Sequence, residues 1–564
     1  MSENTTVLPE ALQPEAGPIV TSVVSAPSRR TWFAALLDRP VVRWLLAAAL
    51  VFGALLLVVA WAFASPTASS PDEDFHLPSI WCPFDQGRCP TQFNPETGLV
   101  ETLVPVPVMA GAVCWRFDQS ISAACAMGLP EWYDPESQAI PMAVWNERVN
   151  QGEYPGGFYV VMHQFVSGQG NLIADVYHSV VTMRIVNGVL AIALLTAVAY
   201  LLPNSGKRLL AYSVLVIASP MLIFLIASVN PSSWSITGLL VAWFGSYAAF
   251  RGRRLSARVI SSVLALIGGL LAATSRTDSA AFLVAMAVGI AVMHWPYLQV
   301  QRAGIDDTST GQQSSKRSIL PTVTNWALPV GLFVMGLIGF IAGGHSAVLG
   351  EGFGIADRWP NAVLFNNLLQ LPGFLLRVPT PALNWLDTPM PQISIIPVSL
   401  GWVMLLLWGW SKSRPNWQKI LTMAGLLALL ILLPLYLLQI SGQFVGFDLQ
   451  ERYLLPLIPI VLAVSLWRPH HDGAPRLSRT YTWLLYLLLV VGHAAALHTQ
   501  IRRFTRGIPG DWRFWFYANP RLNVGVEWWQ GPISPMATWL VGSFGFALLA
   551  LALFAVRHKA HHHE

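Results

Sequence analysis

Charged side chains are scarce in this chain of 564 residues. Lys, Arg, Asp and Glu make up 11% of it, whereas a soluble globular domain carries about 25%. Apolar residues reach 54%, which excludes a disordered chain and a typical soluble multidomain enzyme. Long basic runs are also missing, and the net charge is only +5, so we expect no nucleic-acid partner. The composition indicates a protein that crosses a membrane several times.

Long apolar runs recur along the whole chain. Because a membrane-crossing helix needs about 20 apolar residues, hydropathy predicts an all-α polytopic membrane protein with about twelve spans, within a range of ten to fourteen. The candidate spans are 44–64, 180–202, 209–227, 234–250, 259–274, 280–297, 323–343, 395–410, 420–440, 454–467, 481–499 and 534–556. Segment 361–376 is also apolar but contains three asparagines, and we interpret it as re-entrant or interfacial.

The basic residues predict an orientation. If the N-terminus is cytoplasmic, the inner segments hold 21 Lys/Arg and the short outer loops hold nine, as the positive-inside rule requires. Both termini are then cytoplasmic. The first span is 21 residues long, whereas the apolar region of a signal peptide has about 7–15, so we interpret 44–64 as a signal anchor.

The predicted topology is asymmetric, with short inner loops and three large outer segments. The first outer segment holds 13 Asp/Glu against 3 Arg. The expected organisation is a cytoplasmic tail (1–43), a first span (44–64), a large outer loop (65–179), spans two to seven (180–343), an outer loop with re-entrant or interfacial helices (344–394), spans eight to eleven (395–499), a Trp/Arg-rich outer loop (500–533), and a last span with a cytoplasmic tail (534–564). Such an outer face indicates that the protein works there.

All four cysteines lie in the first outer loop, where an oxidising compartment would favour disulfides. Four cysteines allow three connectivities. We predict Cys82–Cys89 and Cys114–Cys125, because short loops close most easily. A zinc site is the alternative, but these spacings fit no common structural zinc pattern.

Three consecutive carboxylates, Asp72, Glu73 and Asp74, follow the first span, and His76 comes soon after them. Carboxylates clustered beside a membrane repel one another and lose hydration, so such a cluster usually has a partner: a metal, another cation or a substrate proton. A solvated acidic loop is the alternative. Asp72 and Asp74 would be the ligands of a divalent metal, but two carboxylates alone are a weak signal, and no cofactor is certain.

Four short motifs share the outer side in this topology. They are Pro71-Asp72-Glu73 with His76, then 153–159 (EYPGGFY), 228–231 (SVNP) and 451–456 (ERYLLP). An acidic pair just outside the first span resembles the signature of GT-C glycosyltransferases. The motif order resembles a large, mostly uncharacterised bacterial membrane-protein family of that superfamily, which carries a Pro-Asp-Glu-x-x-His motif in its first outer loop. Asp74 stands where that family usually has proline.

The resemblance implies a GT-C-type helical bundle and an activity. A sugar would pass from a polyprenyl-phosphate donor to a cell-envelope glycan, lipid or protein, on the outer face of a bacterial plasma membrane and with inversion at the anomeric carbon. Asp72 would be the general base. Glu73 would orient the acceptor or Asp72, and His76 would hold the acceptor or the phosphate. Membrane lipids are the other expected partners.

The donor phosphate of a membrane carrier lies at headgroup level, so its binding residues must lie at outer helix ends. An arginine can pair with phosphate through two hydrogen bonds, which makes Arg452 the first candidate. Arg276, Arg502 and Arg503 follow, although these arginines could instead extend towards lipid headgroups. The expected substrate-binding residues are Asp74, Tyr154, Tyr159, Asn230 and Tyr453. Arg184, near the outer end of the second span, could be a paired structural charge.

Two other classes of function compete with the transferase. A transporter or flippase of lipid-linked glycans would need charged residues deep within several spans and an internal repeat. The sequence has few mid-span charges and no convincing repeat. A non-catalytic membrane scaffold with an extracellular binding domain would have no need of an acidic cluster beside the membrane.

Overall fold

The computed structural model describes residues 40–83, 89–127, 143–167, 173, 175–295, 320–343, 360–446, 449–469, 474–508 and 528–555. Residues 1–39, more than half of the expected outer loop 500–533 and the last nine residues therefore lie outside the described residues. The chain divides into two compact units, Met1–Leu46 and Ala47–Glu564. The candidate site and the helices that support it belong to the second unit.

Helices dominate the described chain. They are α1 (Pro40–Phe63), α2 (Glu73–Trp81), α3 (Val106–Ala110), α4 (Gly157–Met162), α5 (Val176–Leu201), α6 (Asn204–Leu215), α7 (Pro220–Ile226), α8 (Ser232–Arg251), α9 (Leu255–Ala273), α10 (Thr277–Met293), α11 (Leu320–Ala342), α12 (Pro360–Arg377), α13 (Gln392–Ser411), α14 (Trp417–Ile440), α15 (Ile458–Leu466), α16 (Arg479–Thr505), α17 (Pro535–Ala550) and α18 (Ala552–Ala555). Short 3-10 helices occur at Ala123–Ala126, His163–Phe165 and Glu451–Leu457.

The predicted spans coincide with helices, but fewer of these helices than expected have the length and apolarity of a span. Among the described residues eight helices meet both conditions, or nine if α6 and α7, which meet at 99°, form one broken span. The expected number was ten to fourteen. Of the other predicted spans, α10 has 17 residues, α15 has nine, and α8 is long enough but less apolar.

The polarity of α8 follows from its position. Every residue from Ser232 to Phe250 is buried among other parts of the protein, so this helix needs no lipid-compatible surface. Glycine permits its close contact with α9, because a Cβ atom on Gly268 would lie 2.6 Å from the carbonyl oxygen of Gly238. Small residues at such crossings let two helix backbones approach each other in membrane proteins. Protein neighbours, rather than lipid, therefore decide the composition of α8.

Segment 65–179, expected to be the first outer loop and called so below, contains a small antiparallel sheet that the all-α expectation did not include. Its strands are β1 (Thr91–Asn94), β2 (Leu99–Pro105) and β3 (Ala143–Asn146), in the order β1-β2-β3. Thr102 at the centre of β2 lies opposite Thr91 and Asn146. Alternate residues at the end of β2, Thr102 and Val104, are buried, which is the pattern of a strand with one covered face.

Both predicted disulfides are confirmed. Cys82 is bonded to Cys89, with their Cα atoms 5.5 Å apart, and Cys114 is bonded to Cys125, with their Cα atoms 6.2 Å apart. The first disulfide connects the end of α2 to the residues just before β1. The second closes the segment between α3 and the 3-10 helix Ala123–Ala126. The two cross-links therefore stabilise different parts of the same outer loop.

A separate apolar core lies between the outer loop and the helix ends. Leu77 and Ile80 of α2 and Phe158 of α4 belong to it, together with Met183 of α5 and Phe504 of α16. All five side chains are fully buried. Because loop residues and span residues share this core, α2 and its acidic cluster are held firmly against the ends of the membrane helices.

Candidate functional site

The acidic cluster lies at the start of α2, where the chain turns sharply. Asp72 has a left-handed backbone conformation with φ of 58°, which is uncommon for a residue with a side chain. Its carbonyl oxygen accepts hydrogen bonds from the amides of Phe75 and His76, at 2.9 and 3.0 Å, and these bonds begin the helix. The neighbouring carboxylates of Asp72, Glu73 and Asp74 each have different principal partners.

Asp72 pairs with Arg452, which is 380 positions later in the sequence. The Oδ2 atom of Asp72 lies 2.6 Å from the Nη2 atom of Arg452. The side chain of Arg452 is 1% exposed, whereas that of Asp72 is 33% exposed. The pair therefore has a buried cation and a carboxylate that remains open to an incoming molecule.

The surroundings of Asp72 keep its carboxylate ionised. Burial by itself would raise the pKa, but the positive charge of Arg452 and its hydrogen bond, together with His76 and Arg148, outweigh that effect. The pKa of Asp72 is lowered to about 2 as a result. At neutral pH the carboxylate is a proton acceptor, held in place by a guanidinium group.

Arg452 has hydrogen-bonding capacity that the described residues leave unused. Its Nε atom donates to the side-chain oxygen of Gln450, and its Nη2 atom contacts both Asp72 and, at 3.3 Å, the hydroxyl of Tyr453. The Nη1 atom is buried and has no hydrogen-bond partner among the described residues. An unpaired donor on a buried guanidinium is costly, so this group is suited to an anionic ligand.

A second guanidinium lies close to the first. The Nε and Nη2 atoms of Arg276 donate to the carboxylate of Asp278, both at 2.9 Å. Its guanidinium carbon is 4.8 Å from the centre of the Tyr453 ring, and that of Arg452 is 5.0 Å from the same centre. Tyr453 thus connects the two predicted phosphate-binding residues Arg276 and Arg452, which belong to different helix ends.

His76 completes the site on the other side of the acidic cluster. Its Nδ1 atom lies 2.9 Å from the hydroxyl of Tyr159, and its ring makes an edge contact with Tyr154 at 5.5 Å. Its Nε2 atom is buried without a hydrogen-bond partner among the described residues. Burial lowers the pKa of His76 to about 3, despite the opposing effect of Asp72, so the ring is neutral at physiological pH.

Asp74 is occupied by two arginines of the same loop. One carboxylate oxygen is 3.2 Å from Arg116 and the other is 3.1 Å from Arg148. Arg148 also lies 4.0 Å from Asp72. Arg116 and Arg148 were not selected by the sequence analysis. Basic residues are few in this loop, so an arginine among its many carboxylates was the available signal.

Glu73, in contrast, is sealed inside the protein. Its carboxylate is 3.2 Å from Arg184, and the backbone amides of Ser70 and Val229 donate to it at 3.0 and 3.3 Å. Arg184 also donates to three carbonyl oxygens between Ala62 and Pro66. The structure thus places Glu73 in a closed structural network rather than in the open part of the site. The interpretation of Arg184 as a paired structural charge matches this arrangement.

Asn230 supports the same turn from the other side. Its side-chain amide donates to the carbonyl oxygen of Pro71 at 2.8 Å, and its side-chain oxygen accepts from the amide of Ser232. Asn230 is fully buried. It positions the residue before Asp72, so its place in the structure is that of a supporting residue rather than of a direct substrate contact.

Arg502 and Arg503 are buried inside the protein instead of extending away from it. Arg503 donates to the carbonyl oxygens of Trp115 and Ile121 and pairs with Asp387 at 3.0 Å. Arg502 is 5% exposed. These contacts attach the end of α16 to the first outer loop, and the surroundings of Arg503 do not resemble an open phosphate site.

The two residues expected to bind a metal, Asp72 and Asp74, have other partners in the structure. Within the described part of the chain, no group of three or more His, Cys, Asp or Glu side chains has the arrangement of a metal site. Asp72 and Asp74, the residues proposed as ligands, face arginines instead.

A cavity of about 520 Å³ lies beside the charged cluster. Tyr154 and Tyr159 line it and also contact His76, so the two tyrosines belong both to the cavity wall and to the surroundings of His76. Its other walls come from the start of α4 and the C-terminal parts of α9 and α11. The lining residues are Pro83, Asn150, Gly152, Tyr154, Pro155, Gly156, Gly157, Tyr159, Val160, Leu270, Ala273, Thr274, Met335, Ile338, Gly339 and Ala342.

Comparison with known proteins identifies a family. The searches of curated proteins and of solved structures gave no match. A family model described as "Predicted membrane protein (DUF2142)" matches residues 55–461, more than half of the chain. The match includes Asp72, His76, Arg276 and Arg452, four residues of the candidate site. The chain therefore belongs to the DUF2142 family of predicted membrane proteins.

Proposed function

We propose that this membrane protein is a glycosyltransferase of the GT-C type. It transfers a sugar from a polyprenyl-phosphate donor to a cell-envelope glycan, lipid or protein. The observation that carries the proposal is the Asp72–Arg452 pair, because it brings an accessible carboxylate against a buried guanidinium with an unused donor. Glycosyl transfer needs both groups within one site: a base for the acceptor and a cation for the leaving phosphate.

In the proposed reaction, Asp72 and Arg452 each have one role. The acceptor hydroxyl oxygen attacks the anomeric carbon of the donor sugar, while its proton passes to the carboxylate of Asp72. The bond from the anomeric carbon to the phosphate oxygen breaks, and its electron pair stays with the phosphate. Attack from the side opposite the phosphate inverts the anomeric centre. Arg452 stabilises the negative charge that develops on the leaving group.

Donor binding and release of the base are coupled in this scheme. Arg452 holds Asp72 through Nη2 and has Nη1 without a partner. A phosphate that binds Arg452 through both terminal nitrogens must take the place of the Asp72 carboxylate. Asp72 would then be free to accept the acceptor proton only when a donor is present, which limits unproductive reactions.

His76 and the neighbouring tyrosines would position the sugar. The neutral ring of His76 has its Nε2 atom unpaired, and Tyr159 fixes the ring through Nδ1. Arg276 adds positive charge beside Arg452 without being a second base. We therefore assign hydrogen bonding to the sugar or its phosphate to His76, and electrostatic support to Arg276.

We place this chemistry on the outer face of a bacterial plasma membrane, with both termini in the cytoplasm. The excess of Lys/Arg in the inner loops supports that orientation. The two disulfides in the loop that carries Asp72 also support it, since disulfides persist outside the reducing cytoplasm.

The test uses a product common to every possible donor. Purified protein is incubated with a panel of polyprenyl-phosphate sugars and cell-envelope extract, and free polyprenyl phosphate is measured. We expect Asp72→Asn to lower its release by about 10²-fold or more, the usual effect of losing a general base. Glu96→Gln, at an exposed turn of the same loop, is the matched control and should keep full activity. Full turnover in Asp72→Asn would refute the assignment.

A further inference from the structure

We infer that the cavity beside the charged cluster receives the first isoprenyl units of a lipid phosphate whose headgroup reaches Arg276 and Arg452. This inference rests on the proposed function, and it adds the place where the hydrocarbon chain of the ligand lies. Three observations carry it: the apolar walls of the cavity, its connection to the lipid-facing surface and its distance from the guanidinium groups.

The walls of the cavity that α9 and α11 form are apolar, and both helices are candidate membrane spans. Leu270 of α9 and Met335 and Ile338 of α11 contribute to them. Both helices are long and apolar enough to cross a membrane. Leu270 and Ile338 line the cavity and are also 54% and 62% exposed, so the cavity is continuous with a surface that faces lipid. A hydrocarbon chain could therefore enter sideways from the bilayer.

The opposite end of the cavity adjoins positive charge. The guanidinium carbon of Arg276 is 5.5 Å from the centre of the Tyr154 ring, and Tyr154 lines the cavity. Arg276 follows the cavity-lining residue Thr274 by two positions. A ligand with a hydrocarbon chain in the cavity would bring a phosphate at its end towards Arg276 and Arg452, which provides charge complementarity.

The small side chains that line the cavity favour a single hydrocarbon chain as its occupant. Glycine and alanine line much of the cavity, at Gly156, Gly157, Gly339, Ala273 and Ala342. Exposed apolar side chains of two spans, Leu270 of α9 and Ile338 of α11, form the rim between the ends of these helices. One isoprenyl chain with a terminal phosphate suits this arrangement, whereas a diacyl phospholipid would have to keep its second chain outside.

Gly156 offers a direct way to fill the cavity. Its φ of −70° suits any amino acid, and a Cβ atom built on it meets nothing within 4 Å. Gly156→Leu therefore adds apolar volume without a steric clash. Gly425→Leu is the matched control, because Gly425 in α14 is exposed, also has nothing within 4 Å of its Cβ position and does not line the cavity.

The measurement is binding of farnesyl phosphate to the purified full-length protein, followed by titration calorimetry. We expect Gly156→Leu to weaken binding by about tenfold or more, since the new side chain displaces part of the bound chain. The Gly425→Leu variant should bind as the wild type does. Ala342→Phe fills the same cavity from α11 and should reproduce the loss, which keeps the test valid if Gly156→Leu folds poorly.

Two results would overturn the inference. One is unchanged farnesyl phosphate binding in both folded cavity variants. The other is phosphatidic acid binding at least as tight as that of farnesyl phosphate and equally sensitive to Gly156→Leu, which would assign the cavity to a diacyl lipid. Asp72→Asn separates this outcome from that of the proposed function, because it should lower transfer by about 10²-fold or more and still bind farnesyl phosphate. If Asp72→Asn retains transfer while Gly156→Leu loses binding, the cavity assignment stands and the catalytic one fails.

Discussion

Two arginine–carboxylate pairs anchor the start of α2, and they differ in what surrounds them. Glu73 and Arg184 are 0% and 1% exposed, and backbone groups complete the hydrogen bonding of the carboxylate. Asp72 and Arg452 combine a carboxylate that is 33% exposed with a guanidinium that has an unpaired nitrogen. Adjacent residues of similar chemistry thus have different surroundings, and we assign stability to the closed pair and reactivity to the open one.

The largest expected effect tests the closed pair. Glu73→Gln leaves the charge of Arg184 buried without a carboxylate, which should lower the free energy of unfolding by about 3 kcal/mol or more. The measurement is thermal unfolding of the purified protein in detergent. A double variant, Glu73→Leu with Arg184→Met, should recover much of the loss, because apolar groups replace both charges. An unchanged unfolding temperature in Glu73→Gln would remove the distinction between the two pairs.

The open pair should affect donor use more than stability. Arg452→Lys keeps the charge but cannot form two parallel hydrogen bonds to one phosphate, so the apparent affinity for the donor should fall by about tenfold. Arg452→Ala should weaken it by about 10²-fold, while both variants remain folded. Donor titration on protein samples matched for thermal stability measures this. Unchanged donor dependence in Arg452→Ala would move the phosphate site elsewhere, with Arg276 as the next candidate.

The smallest effect concerns pH. The pKa of Asp72 in the donor-free protein is lowered from 3.8 to about 2, so this carboxylate should stay ionised, and turnover at low donor concentration, which reports the free protein, should be insensitive to its protonation down to about pH 4. The stability that the pair contributes is complete above the ordinary pKa and is lost as the pH falls towards 2. Arg452→Gln removes the main lowering influence while burial remains, so the acid limb of its residual turnover at low donor concentration should move up by about two pH units.

The pH profile has an internal control in His76. The pKa of His76 is lowered to about 3 by burial, so His76 should not titrate between pH 5 and 8. A transition near pH 6.5 that disappears in His76→Gln would contradict its assignment as a neutral hydrogen-bonding group. An acid limb that stays in place in Arg452→Gln would show that Arg452 does not control the charge of Asp72.

Features that depend on a local pattern of residues could be predicted from the amino-acid sequence. Apolar runs predicted the helical segments, and short cysteine spacings predicted both disulfides. Asp72 and His76 could be selected in advance because they belong to an acidic cluster beside a predicted span, and Arg276 and Arg452 because they lie at expected outer helix ends. Even the helix α8 was predicted, although its burial on all sides could not be, since burial depends on neighbours from elsewhere in the chain.

Which of these residues contact one another depends on long-range folding of the chain. Asp72 and Arg452 are 380 positions apart, and Glu73 and Arg184 are 111 apart, so no local period relates them. The three strands of the outer sheet also depend on pairing between β2 and the distant β3. The roles of Asp72 and Glu73 differ because one faces an open site and the other a closed network. Burial, hydrogen bonding and pKa follow from long-range packing, which amino-acid type and spacing do not specify.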